Sequence, residues 1–196
     1  MYSFYKLITF ILQFFAPFYL FIRKLKKKEH PQRYKEKLSS IDLVKEKGFL
    51  VWLHVASVGE AMSIISLIDT LEKENKINQI LITSLTLSSS EVLRKKYIKS
   101  RKIVHQFLPY DTSKFVKKFL NHWSPNISIF IDSEIWPNLI FEIKKRNIPL
   151  LLLNGRLTKK SYLRWKLVKN FSKKIFEKFD LCIASNKETE KYLISL

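Results

Sequence analysis

The amino-acid sequence predicts an α/β fold in which a parallel β-sheet carries helices on both faces and follows an apolar N-terminal helix. From residue 49 onward, short runs of consecutive apolar residues alternate with amphipathic stretches of helical period. Continuous apolar runs are typical of strands in a parallel sheet that is covered on both faces, and their alternation with helices favours right-handed crossovers. The second observation is a long apolar run at the N-terminus, which a cluster of lysine and arginine residues follows.

Six apolar runs are predicted to form the strands, and six amphipathic stretches are predicted to form the helices. The strands are Phe49–Val55, Gln79–Thr83, Ile103–Leu108, Ile127–Ile131, Leu150–Leu153 and Leu181–Ala184. The helices lie near Ala61–Lys73, Ser88–Lys99, Thr112–Trp123, Asn138–Arg146, Lys160–Lys178 and Lys187–Ile194. Since no internal repeat or long linker divides them, residues 29–196 are predicted to form one domain.

Residues 1–28 are predicted to form a membrane anchor with a basic flank. Leu7–Ile22 is almost entirely apolar, and an extension to Tyr2 reaches the length of about 20 residues that a spanning helix needs. The cations that follow would hold the body of the protein in the cytoplasm. The charge order and the residues after the run do not fit a cleaved signal peptide. An uncleaved spanning helix is the first interpretation, an interfacial helix kinked at Pro17 is the second, and a core helix is the third.

Composition narrows the possible partners and cofactors. The 196 residues include 36 lysines and arginines against 17 aspartates and glutamates, and the formal net charge of +19 favours anionic partners such as acidic lipids, phosphorylated substrates or nucleic acid. The single cysteine, Cys182, cannot form an internal disulfide, and its apolar surroundings predict a buried strand thiol. With three glycines in the chain there is no Gly-rich phosphate cradle, and no His or Cys pattern predicts a metal site, so no cofactor is predicted.

The unusual residues of the domain cluster in the loops that follow the predicted strands. These loops are Ala56–Glu60, Ser84–Ser90, Pro109–Asp111, Asp132–Asn138, Asn154–Arg156 and Ser185–Asn186. In a parallel α/β sheet, ligands bind beyond the carboxyl ends of the strands, where such loops meet. The sequence therefore predicts a ligand site at this edge of the sheet.

The chemistry of the individual loop residues leaves several interpretations open. Glu60, which follows Gly59 at the start of a helix, is either a general base for a hydroxyl or a plain helix-start acid. Asp132 and Glu134 end a buried strand and could bind a metal, orient a sugar hydroxyl or stabilise developing positive charge. Arg156 would suit a carboxylate or phosphate, or is a solvated loop residue.

Taken together, the loops resemble those of the Kdo (3-deoxy-manno-octulosonic acid) transferases of lipopolysaccharide synthesis. The resemblance also includes the apolar N-terminal run with its basic flank, and its order and spacing extend to Leu196. The matching motifs are Arg33-Tyr34, Leu53–Glu60, Thr83–Thr86, Leu108–Asp111, Asp132–Asn138, and Asn154–Leu157 with Ser161.

The resemblance implies a glycosyltransferase-B fold with two Rossmann-like domains, of which this chain supplies the first. It implies an inverting transfer of Kdo from CMP-Kdo to a lipid A precursor (lipid IVA), with Glu60 as general base and Asp132 stabilising the transition state. Asp132 is one methylene shorter than the glutamate that the family usually has. The remaining predicted site residues bind substrate: Ser57, Gly59, Thr83, Thr86, Glu134, Asn138, Asn154 and Arg156.

The resemblance also implies partners and a location. The acceptor and an anionic membrane surface are the expected partners, at the cytoplasmic face of the inner membrane. The chain stops near the end of the first domain, so the C-terminal donor domain with its CMP-Kdo site is expected to be absent. The alternative is a non-catalytic half-enzyme that holds lipid A precursor or needs a separate donor domain. Nucleic acid is not predicted as a partner, because only the net charge would favour it.

Overall fold

Six strands form the sheet of the computed structural model, which describes residues 1–196. They are β1 (Leu50–His54), β2 (Gln79–Ser84), β3 (Ile103–Phe107), β4 (Ile127–Ile131), β5 (Leu150–Gly155) and β6 (Leu181–Ala184). Every neighbouring pair is parallel, and the order across the sheet is β3-β2-β1-β4-β5-β6. The predicted α/β fold is therefore confirmed. The strand order reverses between β1 and β4, and the region beyond their carboxyl ends, here called the crevice, is where parallel α/β sheets bind ligands.

Helices cover both faces of this sheet. They are α1 (Tyr2–Leu25), α2 (Val58–Ser63), α3 (Ile65–Lys73), α4 (Leu87–Tyr97), α5 (Ser113–Trp123), α6 (Pro137–Lys145), α7 (Lys159–Leu167), α8 (Lys169–Phe176) and α9 (Lys187–Ser195), with a 3-10 helix at Arg33–Leu38. Two predicted helices are each broken in two, at Ile64 and at Val168, where the backbone leaves helical geometry. Both residues are β-branched and lose side-chain freedom in a helix, so a break there costs little.

Alternate side chains of β1 enter two separate cores. Leu50 and Trp52 pack with α5, α6 and α8 on one face, and Val51 and Leu53 pack with α2, α3 and α4 on the other. The two cores contain 21 and 14 buried apolar residues. Burial of one such side chain contributes roughly 1.5–3 kcal/mol, so the central strands are firmly held and form a rigid base for the loops beyond them.

Helix α1 packs along the body of the domain and does not project away from it. Thr9, Ala16 and Leu20 face the domain and are buried. At one end the ring of Tyr2 stacks on Phe141 with the ring centroids 3.9 Å apart. At the other end Arg23 pairs with the buried Glu29 at 2.6 Å. By length and composition alone α1 is the one helix that could cross a membrane.

The outer face of α1 is apolar and exposed. Its exposed large residues are Phe4, Leu7, Ile8, Phe10, Ile11, Leu12, Phe14, Phe15, Phe18, Tyr19, Phe21 and Leu25. An exposed apolar face of this size marks a surface for interaction with another protein or with a membrane.

The prediction of a buried thiol at Cys182 is wrong. Cys182 lies on β6, an outermost strand of the sheet, and is exposed. Its neighbours Leu181 and Ile183 are 47% and 51% exposed. The apolar run correctly indicated a strand, but a run of this kind cannot distinguish an interior strand from one at the edge of the sheet.

Candidate active site

The crevice between β1 and β4 brings together two of the predicted loops. His54 pairs with Phe130 across these strands, so the chain segments that follow them leave the sheet side by side. The segment after β1 leads to Glu60 in the first turn of α2, and the segment after β4 carries Asp132 and Glu134. The sheet thus places the three carboxylates at one edge, as the sequence predicted.

Glu60 belongs to a reciprocal cap at the start of α2. Its backbone N–H donates to Ser57 Oγ at 3.3 Å, while its Oε1 accepts from the Ser57 hydroxyl at 2.8 Å and its Oε2 accepts from the Ala56 N–H at 2.7 Å. This arrangement fixes the carboxylate and satisfies helix-end donors. Each oxygen keeps a second lone pair, and the residue is half-buried, so Glu60 can still face a ligand.

Gly59 leaves the first turn of α2 open to the crevice. The turn itself does not need glycine, because Gly59 has no positive φ and an added Cβ would meet only Ser57 Oγ, at 3.9 Å. What its missing side chain provides is exposed space beside Glu60, where a ligand can approach the backbone closely.

Asp132 and Asn154 turn the chain sharply at the ends of β4 and β5. Both adopt left-handed backbone conformations, with φ values of 64° and 52°. Aspartate and asparagine tolerate this region better than most residues, so the shorter Asp132 suits its backbone. The Ser133 hydroxyl lies 2.8 Å from Asp132 Oδ1 and also contacts the Arg156 carbonyl oxygen, so its single proton is shared between two acceptors and links these two loops.

Glu134 is held from beneath by buried groups. Its Oε2 lies 3.1 Å from His54 Nε2 and accepts from Trp136 Nε1 at 2.8 Å. Behind it, His54 Nδ1 lies 2.9 Å from the hydroxyl of Thr83, which is fully buried. Burial raises the pKa of Glu134, but the hydrogen bond and charge of His54 and the Trp136 N–H outweigh burial, so the pKa lies below its usual value.

The other predicted substrate-binding residues occupy different depths. Thr86 is exposed and caps α4, accepting from Ser89 N at 3.2 Å. Arg156 is exposed, and its guanidinium makes no ion pair or hydrogen bond within the chain, so it is free to meet an anion. Thr83 and Asn138 are buried beneath the crevice, where they support other residues.

Asp111 is a buried carboxylate whose role the sequence did not reveal. It accepts from the N–H groups of Asn138 and Leu139 at 2.9 and 2.8 Å, and so caps α6. It also accepts from the Tyr5 hydroxyl at 2.7 Å, while Asn138 donates to Thr9 Oγ1 at 3.0 Å. Burial raises the pKa of Asp111 to about 6. These contacts connect α1 directly to the helix that follows the Glu134 loop.

The solved structures that resemble this chain share its fold. The UDP-GlcNAc 2-epimerase of Neisseria meningitidis matches 75% of this chain and 43% of its own chain, with a TM-score of 0.51 and 12% identity. A further UDP-N-acetylglucosamine 2-epimerase matches 76% of this chain and 45% of its own, with a TM-score of 0.50 and 17% identity. At this identity the likeness concerns the fold alone.

The sequence comparisons identify the family. The family model of 3-deoxy-D-manno-octulosonic-acid transferases (kdotransferases) matches residues 29–196. The transferase of that name from Rickettsia bellii is 39% identical over 88% of this chain, and the one from Haemophilus influenzae is 29% identical over 74%. This chain spans 41% and 34% of the lengths of these relatives. Because the family model covers most of the chain and the relatives carry the same name, the chain belongs to the 3-deoxy-D-manno-octulosonic-acid transferase family.

Proposed function

We propose that this chain is the acceptor-binding half of an inverting Kdo transferase, which transfers Kdo from CMP-Kdo to the lipid A precursor lipid IVA. The observation that carries the proposal is the position of Glu60 at the carboxyl end of β1, beside the open backbone of Gly59. A fixed carboxylate at the strand-order reversal is where a general base for a bound hydroxyl is expected. The family supports the class of reaction.

In the proposed step, an acceptor hydroxyl oxygen forms a bond to the anomeric carbon of Kdo, and the bond from that carbon to the CMP phosphate oxygen breaks. The bonding electrons leave with the phosphate, and Glu60 takes the hydroxyl proton. Asp132 stabilises the positive charge that develops on the sugar. The Arg156 N–H donates to the Asp132 carbonyl oxygen at 3.4 Å and Ser133 contacts the Arg156 carbonyl oxygen, so the backbones of these two loops are held together.

The location of α1 favours an acceptor that resides in a membrane. Tyr5 bonds to Asp111, which follows β3, and Thr9 bonds to Asn138 in the first turn of α6. Both partners lie at the carboxyl edge of the sheet, the same edge as the crevice. The exposed apolar face of α1 therefore adjoins the candidate site, and a lipid-anchored acceptor could reach the crevice while its acyl chains stay in the bilayer.

We propose that α1 lies in the membrane surface and does not span it, with the domain at the cytoplasmic face of the inner membrane. A helix packed along a polar body cannot cross the hydrocarbon core without taking that body with it. Helix α7 adds a basic surface: it has no buried residue, and it exposes Leu163 and Leu167 beside Lys160, Arg164 and Lys166. These cations suit anionic headgroups or the acceptor phosphates.

The donor site is proposed to lie in a second domain, outside this chain. The relatives are more than twice as long as the segment they share with this chain. The alternative of a non-catalytic acceptor holder has one specific observation in its favour. Both oxygens of Glu60 already accept hydrogen bonds from the helix cap, so the carboxylate has a structural role at the start of α2 that does not depend on catalysis.

The deciding experiment substitutes Glu60 by Gln in the chain joined to a complete donor domain and measures Kdo transfer to lipid IVA. Glutamine is accepted in the same type of helix cap, so the variant is expected to fold. Loss of a general base lowers turnover about 10²–10⁴-fold. Ser63→Ala, which removes a hydroxyl that donates to the Glu60 carbonyl oxygen on the same helix but keeps the cap and the carboxylate, is the matched control and should retain near-native turnover. Near-native turnover by Glu60→Gln would refute the assignment.

A further inference from the structure

A chain of hydrogen bonds runs from the core to Glu134, and its direction can be deduced. The indole N–H of Trp52 can only donate, and it donates to Thr83 Oγ1 at 2.9 Å. The Thr83 hydroxyl proton is then free for His54 Nδ1, 2.9 Å away. A neutral His54 that accepts at Nδ1 carries its proton on Nε2, the nitrogen that faces Glu134. Each donor in the chain therefore points toward the carboxylate.

The protonated form of His54 gives the same result at Glu134. With protons on both nitrogens, Nδ1 donates to the Thr83 carbonyl oxygen at 3.2 Å, and Nε2 still donates to Glu134 Oε2. The remaining neutral tautomer would place two acceptors 3.1 Å apart, which is unfavourable. His54 thus presents an N–H to Glu134 in both favourable states. It is 0% exposed and packed edge-on against Phe130, so it has no room to turn away.

Only one of the two oxygens of Glu134 is used by the protein. His54 and Trp136 both bond to Oε2. Oε1 has no partner in the chain and is not buried, and the side chain is 14% exposed. An ionised carboxylate can only accept hydrogen bonds. The open oxygen therefore requires a donor from outside the chain.

We infer that His54 is a positioning residue, which holds Oε2 of Glu134 so that Oε1 accepts a hydrogen bond from a hydroxyl of the acceptor sugar. This inference rests on the proposed function for the identity of the donor. Charge-assisted hydrogen bonds of this kind are stronger and more directional than neutral ones. A carboxylate that is fixed before binding loses little conformational freedom when the sugar arrives.

The test compares His54→Leu, His54→Gln and Glu134→Ala in the 196-residue chain in detergent, with lipid IVA as the probe. His54→Leu removes the N–H donor and should weaken the Kd for lipid IVA about tenfold, the loss of one well-oriented bond to a charged group. His54→Gln keeps a donor and should restore most of the affinity. His122→Leu is the control, because His122 bonds to the Leu43 carbonyl, away from the crevice.

A double-mutant cycle separates positioning from a general effect on folding. If His54 acts through Glu134, then His54→Leu combined with Glu134→Ala binds lipid IVA no more weakly than Glu134→Ala alone. Additive losses, or an unchanged Kd in His54→Leu, would overturn the inference. Should His54→Leu fail to fold, Thr83→Val removes the hydroxyl that sets the tautomer at nearly constant volume, and the same weakening is expected from it.

A readout that needs no acceptor distinguishes failure of this inference from failure of the proposed function. The side-chain carboxyl carbon of Glu134 is titrated by NMR in the unmodified chain and in His54→Leu. His54 is the one titratable group that shifts the pKa of Glu134. Without His54, the effect of burial is no longer outweighed, so the pKa of Glu134 should rise. An unchanged titration refutes positioning. A raised pKa in a chain that binds no lipid IVA supports positioning and refutes the acceptor.

Discussion

Asp111 is the residue at which three parts of the molecule converge. It caps α6, accepts a hydrogen bond from α1 through Tyr5, and ends the loop that follows β3. A buried carboxylate with these partners fixes the position of α1 relative to the carboxyl edge of the sheet. Its burial has an energetic cost that the hydrogen bonds do not fully offset, since its pKa is raised to about 6.

This raised pKa predicts how stability changes with pH. Between the ordinary value of 3.8 and about 6, the folded chain binds more protons at Asp111 than the unfolded chain does. The contribution of Asp111 is therefore greatest below about pH 4 and declines as the pH rises through 6, by up to about 3 kcal/mol. Asp111→Asn removes the titration. Urea unfolding from pH 4 to 8 measures the free energy of unfolding of the unmodified chain minus that of Asp111→Asn. This difference should fall up to about pH 6 and stay level above it. A difference that does not change with pH contradicts the assignment.

Residues differ in how far the sequence reveals their role. Glu60, Asp132 and Glu134 could be predicted to share one edge because each follows a buried strand, and parallel strands end together. The partners of Asp111 could not be predicted, because Tyr5 lies 106 residues away and nothing in either local pattern links them. The buried position of Thr83 also escaped prediction, since a polar residue at a strand end can face either the crevice or the core.

At the scale of the element, α1 combines two surfaces with different functions. Its inner face carries Tyr5 and Thr9, whose polar atoms bond to the domain, and its outer face carries large exposed apolar side chains. The apolar composition of the segment hides this division, because Tyr, Thr and Ala are compatible with a membrane span. The structure separates the residues of α1 that bond to the domain from those that are proposed to contact lipid.

Substitutions on the two faces of α1 should have opposite effects. Phe14→Gln with Phe18→Gln changes side chains that are 64% and 68% exposed, and should reduce binding to anionic vesicles while leaving the free energy of unfolding nearly unchanged. Tyr5→Phe removes the hydrogen bond to the buried Asp111 and should cost about 2 kcal/mol of stability with vesicle binding retained. Vesicle sedimentation and urea unfolding measure the two effects. If the Phe14→Gln and Phe18→Gln variant binds vesicles as tightly as the unmodified chain, the interfacial placement of α1 is contradicted.

The helices and strands themselves were largely predictable, whereas their interruptions were not. Each of the six apolar runs became a strand, because continuous apolar sequence fits a doubly covered sheet. The breaks at Ile64 and Val168 depend on how each helix meets the core, which periodicity alone does not encode. The exposure of β6 likewise depends on the order of strands in the sheet, a non-local property.

At the scale of the whole molecule, the two outermost strands of the sheet, β3 and β6, differ in how far other residues cover them. At β3, Glu36 accepts from the Phe107 N–H at 2.8 Å, and Arg33 donates to the His105 carbonyl at 2.7 Å, so side chains of the 3-10 helix satisfy the edge strand. At β6, the half-exposed Leu181 and Ile183 remain open. An exposed apolar edge strand is a surface on which further chain can pack.

The proposal that acceptor and donor bind to separate domains predicts what the 196-residue chain does by itself. It should bind lipid IVA, since the predicted acceptor loops and the basic surface are present, and it should neither bind CMP-Kdo appreciably nor transfer Kdo. In a two-domain transferase the reacting groups meet only when both domains close on the substrates, and much of the rate comes from that positioning. Calorimetry with each ligand and a radiolabelled-Kdo transfer assay give the two measurements.

The affinity of the chain for lipid IVA should depend on the positive charge of residues at the crevice as well as on the net charge of the chain. Binding should weaken as salt is raised, because the formal net charge is +19 and the acceptor carries phosphates. Arg156→Gln removes an unpaired exposed guanidinium at the crevice and should weaken the Kd several-fold. Arg101→Gln removes another exposed arginine just before β3, at the opposite edge of the sheet, and should leave the Kd unchanged. Equal losses in the two variants would mean that the acceptor responds to net charge alone, and robust transfer by the isolated chain would refute the two-domain mechanism.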